Sequence, residues 1–351
     1  MEINLGEKKI GDGHRVFFVA EAGVNHNGSL EMAMKLIDVA VESGADAVKF
    51  QTFRANEVNT KNAPKASYHV ETTGTDEKET WHNLLKKQEM SEEMHHRLFE
   101  YCNQKKIMFL STPYGEESAD FLEKLNIKLF KIASTDTNNL PFLGFLAKKK
   151  KPMIVSTGMS TFEEVETAVN VVKKEGLKNL VLLQCTGNYP ANIVNSNLRV
   201  MKTYREELNC LVGLSDHTSE LINPIASTAL GACVIEKHIT LDRNLFGPDH
   251  RMSLNPKELR LCVQAIRDTE KALGSEVKTV LPGEEGNRKK LRKSIVAKEN
   301  IKSGEKLNSN LITFKRPGTG IPPSCVNEVL GRVAKKDIAT DTILDHEMFE
   351  K

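Results

Sequence analysis

The sequence has few of the features that mark membrane, secreted or zinc-binding proteins. None of its six cysteines lies in a Cys-X-X-Cys pair, so a zinc cage is not expected. No apolar run approaches the ~20 residues that a bilayer-spanning helix needs, and the opening segment MEINLGEKK lacks the apolar core of a signal peptide. We therefore expect a cytoplasmic protein with reduced, mostly buried cysteines and no membrane partner.

The sequence also has no large excess of charge of either sign. The net charge is +2 over 351 residues, which gives no general affinity for polyanions, so nucleic acid is not an expected partner. An anionic substrate must then be met by a local group of cations. The basic stretch at 282–293 is interpreted as a solvated linker.

The first 275 residues or so alternate short β-branched runs with longer amphipathic runs, which is typical of repeated βα units. The predicted strands are Val16–Glu21, Ala47–Gln51, Met108–Ser111, Leu129–Ile132, Met153–Ser156, Leu180–Gln184, Val212–Leu214 and Val234–His238. Predicted helices include Leu30–Ser43, Ser91–Lys105, Glu116–Leu125, Thr161–Glu175, Leu198–Leu208 and Pro256–Leu273. Eight such units predict an α/β fold, the (β/α)₈ TIM barrel. The alternative is an open doubly wound sheet, which is disfavoured because no Gly-X-Gly-X-X-Gly follows the first strand.

The chain divides into a barrel over 1–281, a linker over 282–293 and a small domain over 294–351. Two similar segments, Val296–Ile301 and Val333–Ile338, predict pseudo-twofold symmetry in the small domain. The polar segment from Arg54 to about Glu89 shows no clear element. It is either disordered or a lid, and the lid is favoured because barrel active sites are built from such loops.

Nearly every predicted strand ends in polar residues, where a barrel carries its active site. Three pairs lie two positions apart and so share a strand face: Lys49 with Gln51, Ser215 with His217, and Glu236 with His238. Lys49 and Lys131 lie among serines and threonines, as binding of a phosphate ester requires. A barrel lysine also suits a Schiff-base aldolase.

His217 and His238 end neighbouring strands and are candidate ligands of a divalent metal with open positions for substrate and water. The nearby carboxylates are candidates for general acid–base work: Glu21, Asp136, Glu236 and Asp249. Three further histidines lie in predicted loops, where solvation is the simpler interpretation: His26, His69 and His250.

Together these motifs resemble the sialic acid synthases. They are Ala20–Gly28, Val48–Thr52, Ser111–Pro113, Phe130–Ile132, Ser156–Met159, Leu214–Thr218, Ile235–His238, Gly247–His250 and Lys315–Gly318. The likeness runs from about residue 16 to the end. It implies a barrel followed by a C-terminal antifreeze-like (SAF) domain, and a homodimer in which that domain of one chain covers the barrel of the other. It also implies phosphoenolpyruvate and an N-acetylated amino sugar as substrates, with Mn²⁺, or alternatively Mg²⁺ or Co²⁺, as cofactor.

The resemblance assigns roles by position. Phosphoenolpyruvate would be held by Lys49, Thr112, Lys131, Ser134, Ser156 and Ser215. The sugar would face Glu21, Gln51, Tyr189, Glu236 and Asp249, and Arg316 of the antifreeze-like domain would reach its N-acetyl group. The metal would bind His217 and His238, and these two with Glu21 and Glu236 form the expected catalytic group.

This chain departs from the family pattern at two positions. Asp136 stands where relatives often carry Glu, so its reach to the sugar is shortened. Gly187 stands where Asn or Thr is usual, and Thr186 or Asn188 is expected to supply the missing hydrogen bond.

The acceptor is left open between N-acetylmannosamine, which is slightly favoured, and a 2,4-diacetamido-trideoxy hexose that would give a legionaminic-type sugar. Two remoter interpretations are a Schiff-base lyase, which would use pyruvate without metal, and a non-catalytic carbohydrate- or ice-binding protein.

Overall fold

The computed structural model describes residues 1–65, 70, 72–73 and 80–350. The chain forms two compact units, Met1–Gly274 and Ser275–Lys351. Within the described residues, no helix has both the length and the apolar character needed to cross a membrane.

The first unit is a barrel of parallel strands preceded by a short antiparallel hairpin. The hairpin consists of β1 (Glu2–Asn4) and β2 (Lys9–Gly11). The barrel strands are β3 (Phe17–Gly23), β4 (Ala47–Thr52), β5 (Met108–Pro113), β6 (Phe130–Ile132), β7 (Met153–Ser156), β8 (Leu180–Cys185), β9 (Leu211–Asp216) and β10 (Val234–His238). Hydrogen-bonded neighbours follow the order β5-β4-β3-β10-β9-β8-β7-β6, and β5 packs against β6. The predicted barrel is confirmed.

Helices of the first unit follow the barrel strands. They are α1 (Leu30–Glu42), α2 (Ala55–Val58), α3 (Trp81–Gln88), α4 (Glu92–Gln104), α5 (Glu116–Lys124), α6 (Leu140–Lys148), α7 (Phe162–Lys174), α8 (Val200–Leu208), α9 (Ile222–Ala229) and α10 (Pro256–Leu273). The side chain of Ser91 accepts a hydrogen bond from Met94 N, and Thr161 forms a capping box with Glu164. These caps satisfy amide groups that would otherwise lack partners, which is why the helices begin there.

The expectation of no element between Arg54 and Glu89 is wrong at two places, because α2 and α3 lie within that segment. Thr80 caps α3 by accepting from Asn83 N, a local signal that the polar composition obscured. Residues 66–69, 71 and 74–79 of the predicted lid lie outside the described residues.

Apolar side chains fill the barrel from its amino end. Phe17, Leu110, Ile154 and Leu183 belong to this inner core, and Ile3, Leu5 and Ile10 of the hairpin pack into the same cluster. The hairpin therefore closes the amino end of the barrel, which leaves the carboxyl ends of the strands to carry polar side chains.

The second unit contains α11 (Glu285–Leu291), β11 (Ser294–Ala297), β12 (Ile312–Lys315) and α12 (Val326–Val329). The predicted linker over 282–293 thus includes a short helix. The two halves of the repeat pair across the unit: Ile301 bridges Ile338, Val296 bridges Ile343, and Lys306 bridges Val333. Ile301 and Ile338 are equivalent positions of the repeat, and the Val296–Ile343 bridge is equivalent to the Val333–Lys306 bridge, so the bridges follow a pseudo-twofold relation.

We expect His95 to make the stability of the first unit pH-dependent. This buried side chain lies on α4 with its Nε2 2.8 Å from Thr52 Oγ1, and burial lowers its pKa to about 4. The unfolded chain takes up the proton near pH ~6.5. The free energy of unfolding is therefore highest above that pH and decreases by roughly 3 kcal/mol as the pH falls towards 4. Urea unfolding at several pH values measures it.

His95→Gln removes the titration and keeps a polar side chain, so the stability difference between wild type and variant should shrink as the pH falls. His96→Gln, at the exposed next position of α4, is the matched control and should leave the pH slope unchanged. A His95→Gln difference that is constant with pH would contradict a buried neutral histidine.

Candidate active site

Four buried side chains of alternating charge meet inside the carboxyl end of the barrel. They are Glu21 on β3, Lys49 on β4, Lys131 on β6 and Glu236 on β10, each at most 4% exposed. Lys49 Nζ lies 2.9 Å from Glu21 Oε2 and 3.7 Å from Glu236 Oε2. Lys131 Nζ lies 3.5 Å from Glu236 Oε1. Charges buried to this degree require such pairing, and we call these four residues the charged cluster.

Hydroxyl groups complete the surroundings of both lysines. Lys49 Nζ donates to Thr112 Oγ1 at 3.0 Å, and Lys131 Nζ donates to Ser156 Oγ at 2.7 Å. Thr112 lies at the carboxyl end of β5, beside the strand of Lys49, and Ser156 at the carboxyl end of β7, beside the strand of Lys131. Both positions are as predicted. Ammonium and hydroxyl donors arranged in this way are suited to the oxygens of an anionic ligand.

The two carboxylates of the charged cluster have opposite tendencies to bind a proton. Burial raises the pKa of Glu21 to about 7 against the opposing effect of Lys49, and the charge of Glu236 adds to the rise. Burial also disfavours ionised Glu236, but Lys131 and Lys49 outweigh it and lower its pKa. Ser215 Oγ donates to Glu236 Oε1 at 3.1 Å. The arrangement therefore holds Glu21 ready to exchange a proton near neutral pH and keeps Glu236 ionised.

His217 and His238 lie side by side, with ring centroids 5.4 Å apart. His217 Nδ1 lies 2.8 Å from the carbonyl oxygen of Thr186, so Nδ1–H donates to it and Nε2 is the nitrogen left to meet a ligand. His238 Nδ1 is buried without a hydrogen-bond partner among the described residues, and Asp249 Oδ2 is 3.7 Å from it. His217 thus has the supporting hydrogen bond that metal-binding histidines usually make, whereas His238 has a carboxylate nearby but no such bond within the described part of the chain.

The histidine pair fits a divalent ion that keeps open positions. Burial, then the positive charges of His217 and nearby lysines, holds the pKa of His238 well below its usual range, which favours the neutral ring that binds metals. In the part of the chain that the structure describes, no group of three or more His, Cys, Asp or Glu side chains is placed to hold a metal ion. Two protein nitrogens leave the remaining positions to water and substrate.

Three residues predicted to face the sugar lie around the same mouth. The Tyr189 ring stacks on His217 at a centroid distance of 4.1 Å, and Gln51 Nε2 donates to Glu21 Oε1 at 3.2 Å. Burial raises the pKa of Asp249 to about 6, with His217 and Lys49 opposing the rise. Polar and aromatic groups thus surround the histidines and the charged cluster.

The departure at Gly187 is matched by a change in packing. A Cβ at Gly187 would lie 2.6 Å from Met159 Cγ, so the Met159 side chain occupies the space that a larger residue would need. Next to it, Gly158 N donates to Ser134 Oγ at 2.9 Å. Asn188 is exposed, and its side chain makes no hydrogen bond with the described residues. The structure thus provides no bond from Asn188 in place of the expected one.

Asp136 is a predicted site residue that is not joined to the charged cluster. Asp136 Oδ1 accepts from Asn139 Nδ2 at 3.0 Å, while its Oδ2 is buried without a partner among the described residues. Burial raises the pKa of Asp136. Arg316 lies exposed in the second unit, directly after β12.

The interpretation of His26 and His250 as solvated loop residues is wrong. Both side chains are fully buried. Gly28 N donates to His26 Nδ1 at 3.0 Å, and His250 Nδ1 lies 2.7 Å from Thr240 Oγ1. These contacts hold the loops after β3 and β10 in place. His69 lies outside the described residues.

Cys185 is a site residue that the sequence analysis missed. It ends β8, and its Sγ lies 3.8 Å from His217 Nδ1. Burial disfavours its thiolate, but His217 outweighs burial and lowers the pKa of Cys185. Its position at the end of a barrel strand could have indicated a site residue, but the interpretation of the cysteines as buried apolar residues did not distinguish it from the other five.

Comparisons with known proteins show what this chain is similar to. A model described as the NeuB family matches residues 36–278, and one described as the SAF domain matches residues 292–350. The N,N'-diacetyllegionaminic acid synthase of Campylobacter jejuni is 43% identical over 94% of this chain and 99% of its own length. The synthase of the same name from Legionella pneumophila is 42% identical over 98% of each chain.

A solved structure shows the same architecture. The N-acetylneuraminic acid (sialic acid) synthetase of Leptospira borgpetersenii, crystallised in complex with citrate, superposes with a TM-score of 0.72 at 33% identity. The superposition covers 82% of this chain and 95% of that one. The resemblance noted in the sequence is confirmed, and the chain belongs to the NeuB family, with a SAF domain at its carboxyl end.

Proposed function

We propose that this enzyme condenses phosphoenolpyruvate with an N-acetylated amino sugar, giving a nine-carbon 2-keto sugar acid and inorganic phosphate. The observation that carries the proposal is the pair of buried lysines, Lys49 and Lys131, each donating to a hydroxyl at a strand end. Fixed positive charge with adjacent hydroxyl donors suits a substrate that bears both a phosphate and a carboxylate.

The lysines bind the anion by exchanging partners. Lys131 lies 3.5 Å from Glu236 and Lys49 2.9 Å from Glu21. Phosphate and carboxylate oxygens of phosphoenolpyruvate take over part of this pairing, with Thr112, Ser134, Ser156 and Ser215 as further donors. The charged cluster therefore arranges the donors before the substrate arrives, which limits the reorganisation needed during the reaction.

His217 and His238 hold the divalent ion in this proposal, with Mn²⁺ as first choice and Mg²⁺ or Co²⁺ as alternatives. When bound, the ion supplies a Lewis acid for the aldehyde oxygen of the open-chain sugar. Tyr189, stacked on His217, and Asp249 orient the sugar beside the histidines.

The reaction forms one carbon–carbon bond and one carbon–oxygen bond, and breaks the carbon–oxygen bond to phosphate. Carbon 3 of phosphoenolpyruvate attacks the aldehyde carbon, and water adds at carbon 2. The resulting tetrahedral centre then expels phosphate by cleavage of its carbon–oxygen bond. Glu21 donates and accepts the protons of these steps through Oε1 or Oε2, because its pKa of about 7 lies near neutral pH. Glu236 stays ionised and stabilises the positive charge that develops at carbon 2.

The proposed assembly is a homodimer in which the SAF domain of one chain covers the barrel of the other. Arg316 then reaches the N-acetyl group of the sugar and helps exclude water. Its exposed position in the second unit leaves the guanidinium free to make such a contact.

The acceptor is either N-acetylmannosamine or a 2,4-diacetamido-trideoxy hexose. The relatives favour the second, because the two legionaminic acid synthases are 43% and 42% identical to this chain over 94% and 98% of its length. The second acceptor lacks a 6-hydroxyl, and the thioether of Met159 beside Gly187 provides apolar surface near the phosphate-side donors.

The first test is release of phosphate from phosphoenolpyruvate with each candidate sugar, in the presence of Mn²⁺ or EDTA. We expect release that depends on the sugar and is abolished by EDTA, and the faster sugar identifies the acceptor. Absence of release with either sugar, from folded and metal-loaded protein, would overturn the proposed reaction.

Lys131→Met should lower kcat/KM for phosphoenolpyruvate by about 100-fold or more, because a preorganised charge at the phosphate is lost. Steady-state kinetics at saturating sugar measure the effect. Lys128→Met, three positions earlier and exposed, is the matched control and should behave like wild type. An unchanged kcat/KM for Lys131→Met would remove this lysine from the anion site.

Arg316→Ala should raise the KM for the sugar more than the KM for phosphoenolpyruvate, because the contact proposed for its guanidinium is with the N-acetyl group. Both constants are measured with the other substrate saturating, and Lys336→Ala at another exposed position of the second unit is the control. Equal changes in the two constants would argue against a role for Arg316 in sugar recognition.

A further inference from the structure

A buried ion pair lies directly behind the two histidines of the site. Lys237 Nζ is 2.6 Å from Asp216 Oδ2, and both side chains are 1% exposed. Asp216 is the residue before His217, and Lys237 is the residue before His238. Since successive residues of a strand point to opposite faces, the charges face away from the barrel interior while the histidines face into it.

The register of β9 and β10 joins the ion pair to the site. Lys237 is the ladder partner of Asp216, and one step earlier Glu236 is the partner of Ser215. The same register therefore places the Ser215 hydroxyl on Glu236 and brings the His217 ring beside that of His238. A slip of one residue would turn the two charges into the interior and the histidines away from it.

The turn after β9 is tied to the same pair. Lys237 Nζ donates to the carbonyl oxygen of Thr218 at 2.6 Å. Asp216 Oδ1 accepts from Thr218 N at 3.0 Å and from Thr218 Oγ1 at 2.9 Å. His217 is thus held between two residues that the ion pair fixes, and Asn223 Nδ2 on α9 adds a longer contact to Asp216 at 3.3 Å.

We propose that Asp216 and Lys237 are positioning residues that set the relative placement of His217 and His238 for a divalent cation. The inference rests on the proposed function, in which those histidines hold the ion. Replacing both members of a buried ion pair by uncharged side chains often costs little or no folding stability. If the pair also positions the histidines, the same replacement weakens the affinity for the ion, because that affinity depends on groups behind the ligands.

The deciding variant is Asp216→Asn/Lys237→Met, which removes both charges together and keeps an amide oxygen for Thr218. Mn²⁺ binding to the metal-free full-length chain is measured by calorimetry, and folding by the melting temperature. We expect a melting temperature within a few degrees of wild type and a Kd for Mn²⁺ weakened roughly 10- to 100-fold. Lys237→Met alone leaves Asp216 buried and unpaired, and should lower the melting temperature sharply.

The matched control removes charges from a second, partly buried group of ion pairs. Asp46 immediately precedes β4, at the opposite end of the strand from the site; its Oδ2 lies 3.0 Å from Arg267 Nη2, and its Oδ1 pairs with Lys8 and Arg15. Asp46→Asn/Arg267→Met should leave the Kd for Mn²⁺ unchanged. His217→Asn should abolish the binding that wild type shows.

If the Asp216→Asn/Lys237→Met variant is folded and binds Mn²⁺ like wild type, the positioning role is overturned while the metal site stands. If wild type itself binds no Mn²⁺, the metal part of the proposed function fails, and this inference fails with it.

Discussion

The arrangement of the site depends on one constraint, the placing of four alternating charges inside a barrel where water cannot solvate them. Any one of Glu21, Lys49, Lys131 and Glu236 left alone would be a buried unpaired charge, which is strongly destabilising. Four strands must therefore hold a common register, so that each ammonium meets a carboxylate and a hydroxyl. The ligand-binding geometry and the stability of the upper barrel are consequences of the same pairing.

The sequence predicts the barrel well because its signals are local and repeated. Each buried strand of a parallel sheet is a short β-branched run, and helix starts such as Ser91 and Thr161 carry their own capping chemistry. The polar strand ends were likewise visible, since only the active-site end of a barrel accommodates such residues. Lys49, Lys131, Ser156 and Glu236 were found in this way, and the structure brings all of them together.

Contacts between distant segments could not be predicted in this way. The hairpin that closes the amino end is too short to show a strand pattern, and its role appears only when Ile3 and Ile10 meet the inner core. The burial of His26 depends on the conformation of its own loop, and the nearness of Cys185 to His217 on the register of β8 and β9. The packing of Met159 over Gly187 depends likewise on two neighbouring strand ends. None of these follows from composition or spacing along one segment.

Closure of the amino end by the hairpin also has a kinetic consequence. With Ile3, Leu5 and Ile10 packed into the inner core, the described residues leave the carboxyl end of the barrel as the entrance. In the proposed reaction the phosphate donors lie within the barrel, while Tyr189 stands over His217 at its mouth. A sugar seated there would block the passage to the lysines, so the proposed reaction implies ordered binding, with phosphoenolpyruvate entering first. Phosphate, released beneath the sugar acid, would then leave last.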